Sequence, residues 1–197
     1  MNKRHLEVLA SPRWREMLEQ HLLPWVEQVA DLGDDVLEVG PGPGLTTDLL
    51  RVRTARLTAI EIDPVLASDL AARLGGSNVE VVQGDARHTG FAGDRFSAVA
   101  CFGVLHHVES PGAQDEVFRE ILRVLRPAGV LVASDGYDND GTREAHVDDL
   151  FVPIDPDRVV DRLSAMGFCD VAVDRGEYEF RFRAAKPAGP GAVGGAG

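Results

Sequence analysis

The residues whose types and spacing could do chemistry lie in four short runs, each closing an apolar stretch. In the first, Glu38-Val39-Gly40-Pro41-Gly42-Pro43-Gly44, three glycines alternate with two prolines directly after an apolar segment. Glycine in such a turn lets the backbone approach a ligand that side chains would keep away. The second run is Glu61-Ile62, reached 17 residues after Gly44. A carboxylate at that step can accept both hydroxyls of a ribose. The third, Gln83-Gly84-Asp85-Ala86, offers a carboxylate to an exocyclic amine. The fourth, Phe102-Gly103-Val104-Leu105-His106-His107, carries two adjacent imidazoles. A neutral histidine near its ordinary pKa can take a proton from an attacking hydroxyl, so His106 and His107 are the candidate catalytic groups.

The elements that must hold these runs follow from periodicity. Val36–Val39, Leu57–Ile60, Val79–Val82, Ser97–Cys101 and Val130–Ala133 are short apolar runs and are expected as buried strands. Between them, Leu45–Arg53, Pro64–Leu74 and Gln114–Leu125 repeat their apolar residues at helical spacing. Strands alternating with helices predict an α/β fold: a doubly wound, mostly parallel sheet covered on both faces. Ligands of such sheets bind outside the carboxyl ends of the strands, where strand order reverses. All four runs end at that rim.

The flanks differ. Residues 1–33 are expected as an N-terminal helical cap of two helices broken near Ser11-Pro12, where serine can cap and proline can open a helix. Residues 34–185 are expected to form the ligand-binding domain. Within it, Arg158–Met166 is a helix, and Cys169–Val173 and Tyr178–Ala184 are joined by too short a link to be parallel. They are expected as an antiparallel hairpin. Residues 186–197 are Pro, Gly and Ala apart from Lys186 and Val193 and are expected as a flexible tail.

Composition bounds the partners. The formal net charge of -12 repels phosphate, so no nucleic-acid partner is expected. No apolar run has the length of a membrane span, the first ten residues lack the core of a signal peptide, and the two cysteines sit in apolar contexts. The expectation is a cytoplasmic protein with no membrane contact. Without a Cys-x-x-Cys or His-x-x-x-His pair, no metal is expected.

Rival chemistries fail on particular residues. A nicotinamide site of the G-x-G-x-x-G kind needs glycine at position 45, which is Leu45. A Tyr-x-x-x-Lys dehydrogenase is excluded because Tyr137 and Tyr178 are followed four residues later by Gly141 and Phe182. A P-loop is excluded because no Gly-Lys-Ser/Thr occurs. The loop Asp135–Gly141 lacks ligands at the first and last positions of a calcium loop. Asp135 itself is open to two roles, a substrate contact or a loop cap.

The runs VLEVGPGPG, AIEIDP, GDA, FSAVACFGVLHHV and LRVLRPAGVLVASD, in that order, resemble the class I S-adenosylmethionine-dependent methyltransferase family over Val36 to Asp135. The resemblance implies S-adenosylmethionine as cofactor, a seven-stranded sheet and a final antiparallel strand. It implies that Glu38, Gly40, Pro41, Gly42 and Gly44 bound the methionine portion and that Glu61 holds the ribose. Ile62 would pack on adenine, Gly84, Asp85 and Ala86 would read its amino edge, and Phe102 would lie under the cofactor. His107 matches a histidine frequent in the family. The run after the fourth strand lacks the Asn/Asp-Pro-Pro-aromatic signature of nucleobase amino methyltransferases. The expected acceptor is therefore a small or mid-sized organic molecule, with an S-adenosylmethionine-binding protein of non-methylating chemistry or of a regulatory binding role as the alternative.

Overall fold

The computed structural model describes residues 3–189, with side chains from Leu6 onward. Strands β1 (Asp35–Val39), β2 (Arg56–Glu61), β3 (Val79–Gln83), β4 (Phe96–Phe102), β5 (Leu125–Gly136), β6 (Cys169–Arg175) and β7 (Glu179–Ala185) form one sheet in the order β3-β2-β1-β4-β5-β7-β6. The first five run parallel, and β7 pairs antiparallel to both β5 and β6. This is the expected doubly wound α/β fold with its C-terminal antiparallel hairpin. Strand order reverses between β1 and β4, which places the crevice at their carboxyl ends.

Alternating side chains of the central strands feed two cores, as the two-residue period of a strand dictates. On one face Leu37, Val39, Val99, Cys101, Leu131 and Ala133 pack with α6 (Pro111–Val124) and with Phe180 and Phe182 of β7. On the other, Val36, Leu57, Ala98, Ala100 and Val132 pack with α3 (Leu23–Val29) and α4 (Leu45–Leu50). Trp25 belongs to this second core, and its indole N–H donates to Asp174 at 2.7 Å. A polar tip satisfied across 149 positions of sequence makes Trp25 a packing residue that ties the N-terminal helices to β6.

Helix starts follow the capping chemistry. Ser11 accepts from the Trp14 N–H at 3.2 Å with Pro12 at the first position, so the break between α1 (Lys3–Leu9) and α2 (Pro12–Met17) falls where expected. The second helix differs from a plain α-helix. It loosens into a π turn over Leu18–Leu22 before Pro24, and the Leu23 N–H reaches Leu18 O, five residues back. Asp63 caps α5 (Pro64–Leu74) through the Val65 and Leu66 N–H groups at 2.8 and 3.1 Å. Helix α6 starts three residues before its expected Gln114 because Ser110 caps it through the Ala113 N–H.

Two further short helices, α7 (Asp140–Ala145) and α8 (Val159–Ala165), follow β5. Of the expected tail, Pro190–Gly197 lies outside the described residues. Lys186 does not behave as tail: its ammonium meets Asp94 at 2.7 Å and Leu125 O at 2.9 Å, and its N–H donates to Gly129 O. Lys186 thus extends the edge of the hairpin's pairing with the start of β5.

Phe118 of α6 is almost fully buried and meets Phe182 edge-on, with ring centroids 6.3 Å apart. Phe118→Ala is expected to lower stability by about 3–5 kcal/mol, measured by urea denaturation. A loss under about 1 kcal/mol would show that this face is not the main core.

Candidate functional site

The glycine turn leaves β1 in a conformation that side chains resist. Gly40, Gly42 and Gly44 all have left-handed φ, at +64°, +54° and +85°. Gly40 is also sterically closed by a branched side chain, and Gly44 lies against the ends of two longer ones. A Cβ on Gly40 would stand 2.6 Å from Val104 Cγ2, and one on Gly44 would stand 2.4 Å from Leu70 Cδ1. Gly42 faces open space, with nothing within 4 Å of its Cβ position. The turn therefore packs down at both ends and presents its middle. Pro41 accepts the Gly44 N–H at 2.9 Å, which closes it.

Glu61, at the end of β2, is 5% exposed and organises this turn. Its Oε2 accepts the Gly42 N–H at 3.0 Å and its Oε1 accepts the Asp63 N–H at 2.9 Å. The carboxylate thus joins the first and second strand ends. Carboxylate oxygens hold further lone pairs, so these bonds leave acceptor capacity for hydroxyl groups. Ile62, the next residue, is 63% exposed at the rim, a large apolar side chain facing outward.

Glu38 sits beneath the turn at 2% exposure. Its Oε1 accepts from the Thr46 hydroxyl, whereas Oε2 is buried without a hydrogen bond of standard geometry among the described residues, beside Thr47. Burial raises the Glu38 carboxyl from 4.5 to about 7, against the pull of the Thr46 and Thr47 hydroxyls. A buried carboxyl oxygen short of a donor, under a backbone that leaves space above Gly42, fits a ligand carrying N–H⁺ or O–H groups.

At the third strand end, a Cβ on Gly84 would stand 3.1 Å from Ile60 Cδ1, so the glycine lets β3 close on β2. Asp85 is engaged by its own neighbour. Arg87 donates to it through the backbone N–H at 2.9 Å and through Nε and Nη2 at 2.9 and 2.6 Å. This arginine holds the Asp85 carboxyl below the usual carboxylate range. Ala86 packs against the first core, and Phe102 is half-buried against the second.

His106 and His107 form a short 3-10 turn after β4. His106 is buried, and its Nδ1 meets Asp135, the end of β5. Asp135 also accepts the His106 and Gly136 N–H groups at 3.2 and 2.8 Å. Of the two roles open to Asp135, the structure shows the loop-holding one. His146, from the segment after α7, lies with its ring 4.8 Å from His106 and 5.2 Å from His107, and stacks on Phe151 at 4.7 Å. Sequence spacing gave no sign of this trio, since His146 lies about 40 residues away from the pair. Tyr137 points its hydroxyl to Gly176 O at 3.0 Å, bracing the hairpin.

Residues 37–133 match the family model described as a methyltransferase domain, about half of the chain. This stretch, with the seven-stranded sheet around it, is a class I S-adenosylmethionine-dependent methyltransferase domain. The chain is similar to the ribosomal RNA small subunit methyltransferases A of Koribacter versatilis and Deinococcus radiodurans. It is 47% identical to the first over 62 residues, covering 30% of this chain and 22% of that protein. It is 37% identical to the second over 118 residues, covering 55% and 39%. The chain thus spans from about a fifth to two fifths of the length of these relatives. In solved structures its fold is similar to that of the N-methyltransferase NodS of Bradyrhizobium japonicum in complex with S-adenosylhomocysteine. The TM-score is 0.71 at 20% identity, covering 94% of this chain and 93% of that one.

These relatives overturn one expectation. Net charge and the missing Asn/Asp-Pro-Pro-aromatic run were expected to exclude nucleic acid and leave a small-molecule acceptor. Proteins named for ribosomal RNA are similar to this chain over part of its length, so neither argument excludes that partner class. The physical reason is that net charge sums a whole surface. It does not locate the charges around one acceptor cleft. No helix among the described residues is long and apolar enough to cross a membrane.

The buried Glu38 gives the protein without ligand a pH signature. Its folded pKa is raised, so its contribution is fully present below about 4.5 and is lost as pH rises through about 7. Wild type should lose on the order of 1–3 kcal/mol relative to Glu38→Gln between pH 5 and pH 8, measured by denaturant melts. Parallel curves for the two proteins would refute the assignment.

Proposed function

We propose that this chain transfers the methyl group of S-adenosylmethionine to a nucleophile presented at the rim between β4 and β5. The observation that carries the reading is the join of Gly42 to Glu61 across two strand ends, above the donor-poor Glu38 carboxyl. One carboxylate there fixes the turn and keeps lone pairs for a ribose, while the other waits for a cationic or hydroxyl group.

In this reading Glu38, Gly40, Pro41, Gly42 and Gly44 hold the methionine portion and Glu61 the ribose. Ile62 supplies an apolar face for the adenine, Gly84, Asp85 and Ala86 bound its amino edge, and Phe102 closes the floor. Asp85 reads that edge with the oxygen capacity that Arg87 leaves. When bound, S-adenosylmethionine supplies a methyl group on a sulfonium, electrophilic enough for direct in-line displacement. The chain's work is alignment and the exclusion of water. Segment 137–156 covers the rim, held where the Val152 N–H donates to His106 O at 2.8 Å and Gln114 Nε2 donates to Val152 O at 2.8 Å.

The decisive experiment incubates the chain with methyl-labelled S-adenosylmethionine and a panel of acceptors, namely small-subunit ribosomal RNA, amines, phenols and thiols. Label appearing in one acceptor class by mass spectrometry is the expected result. Cofactor binding without labelled product in any class would contradict methyl transfer. With the acceptor so found, Glu61→Ala should raise KM for S-adenosylmethionine about 10- to 100-fold, the loss of charged hydrogen bonds. An unchanged KM would remove Glu61 from the ribose site.

A further inference from the structure

Three histidines that sequence spacing keeps apart converge at the rim. One ring nitrogen from each of His106, His107 and His146 lies within 4.8 Å of the other two. Their ring centroids stand 4.2, 4.8 and 5.2 Å apart. Three imidazoles around one tetrahedral ion, with metal–nitrogen bonds of about 2.0–2.1 Å, would place their centroids roughly 5 Å apart. The spacing of the rings already approximates such a site.

The hydrogen bonds set the tautomers. His106 Nδ1 faces the Asp135 carboxylate, His107 Nδ1 faces Leu150 O at 3.1 Å, and His146 Nδ1 faces Thr142 O at 2.6 Å. An oxygen acceptor requires each Nδ1 to carry its proton. Each Nε2 then keeps its lone pair, the form that binds a metal. All three Nε2 atoms are buried. Histidine ligands characteristically donate their other N–H to a carboxylate or a backbone carbonyl, and here all three do so.

We propose that His106, His107 and His146 form a binding site for a divalent transition metal of the zinc class, with Asp135, Leu150 and Thr142 orienting the ligands. Imidazole donors suit that class, and the anionic Asp135 offsets part of the ion's charge. Two ligands belong to the sheet rim and the third to the segment after α7, so the ion fastens the covering segment to the end of β4. In this role His106 and His107 act as ligands and not as proton acceptors. The proposal does not depend on methyl transfer.

The test strips the full chain with a chelator and titrates it with cobalt(II) chloride, following the visible d–d bands, then displaces cobalt with zinc. One equivalent with four- or five-coordinate bands is expected. His146→Ala and His107→Ala should each weaken cobalt binding by more than about 100-fold, and Asp135→Asn by about 10- to 100-fold. His88→Ala, outside the trio, should leave it unchanged. Circular dichroism establishes that each variant is folded. Should His146→Ala not fold, the wild-type imidazole nitrogen spectrum decides, because zinc must shift Nε2 and leave Nδ1 protonated in three histidines. Hydrogen exchange in residues 139–152 should slow on adding zinc. Failure of the stripped chain to take up cobalt, equal uptake by the His146→Ala protein, or unshifted Nε2 signals would overturn the proposal.

Discussion

Strand β1 is buried on both faces and paired on both edges, and the chain must leave it through a turn wedged between Val104 and Leu70. That constraint organises the rim. Glycine meets the left-handed φ at 40 and 44, and at 40 the branched Val104 leaves no room for a Cβ. The turn so forced lifts Gly42 to where its N–H reaches Glu61. One hydrogen bond thereby couples the first strand's exit to the second strand's end, and the cleft between them takes its shape from the pair. Glu38 is trapped beneath by the same packing, which is why its carboxyl sits so far above its ordinary pKa.

Much of this was legible because it is local. Apolar runs of strand length alternating with helical periods predict a parallel sheet, and the short Asp174–Glu177 link requires an antiparallel end. Serine before proline marks the helix start at Ser11, whereas the cap at Ser110 begins α6 ahead of the apolar period that predicts it. The π turn at Leu18–Leu22 was not legible, since the apolar spacing of a π turn differs from that of an α-helix by less than the pattern resolves. The ordered Lys186 was hidden for another reason. Its partners Asp94 and Leu125 come from other elements, and the surrounding composition resembles a tail.

At the site the same division holds. The glycines and the acidic strand ends are set by position along the chain, and their convergence follows once the sheet is doubly wound. The pairing of Asp85 with Arg87 and of His106 with Asp135 depends on rotamers and on neighbouring strand ends, which periodicity does not carry. His146 joins the pair only because the segment after β5 folds back over the rim. The expectation from net charge failed differently. Twelve excess acids say how the surface behaves on average, whereas recognition is decided by the few groups beside the transferred methyl.

The central claim is that the cleft formed by Glu38, the glycine turn and Glu61 is a pocket for S-adenosylmethionine. Calorimetric titration of the wild-type chain with S-adenosylhomocysteine tests it without requiring an acceptor or turnover. Saturable binding of a single equivalent is expected. No detectable heat or protection from unfolding at saturating ligand would contradict it.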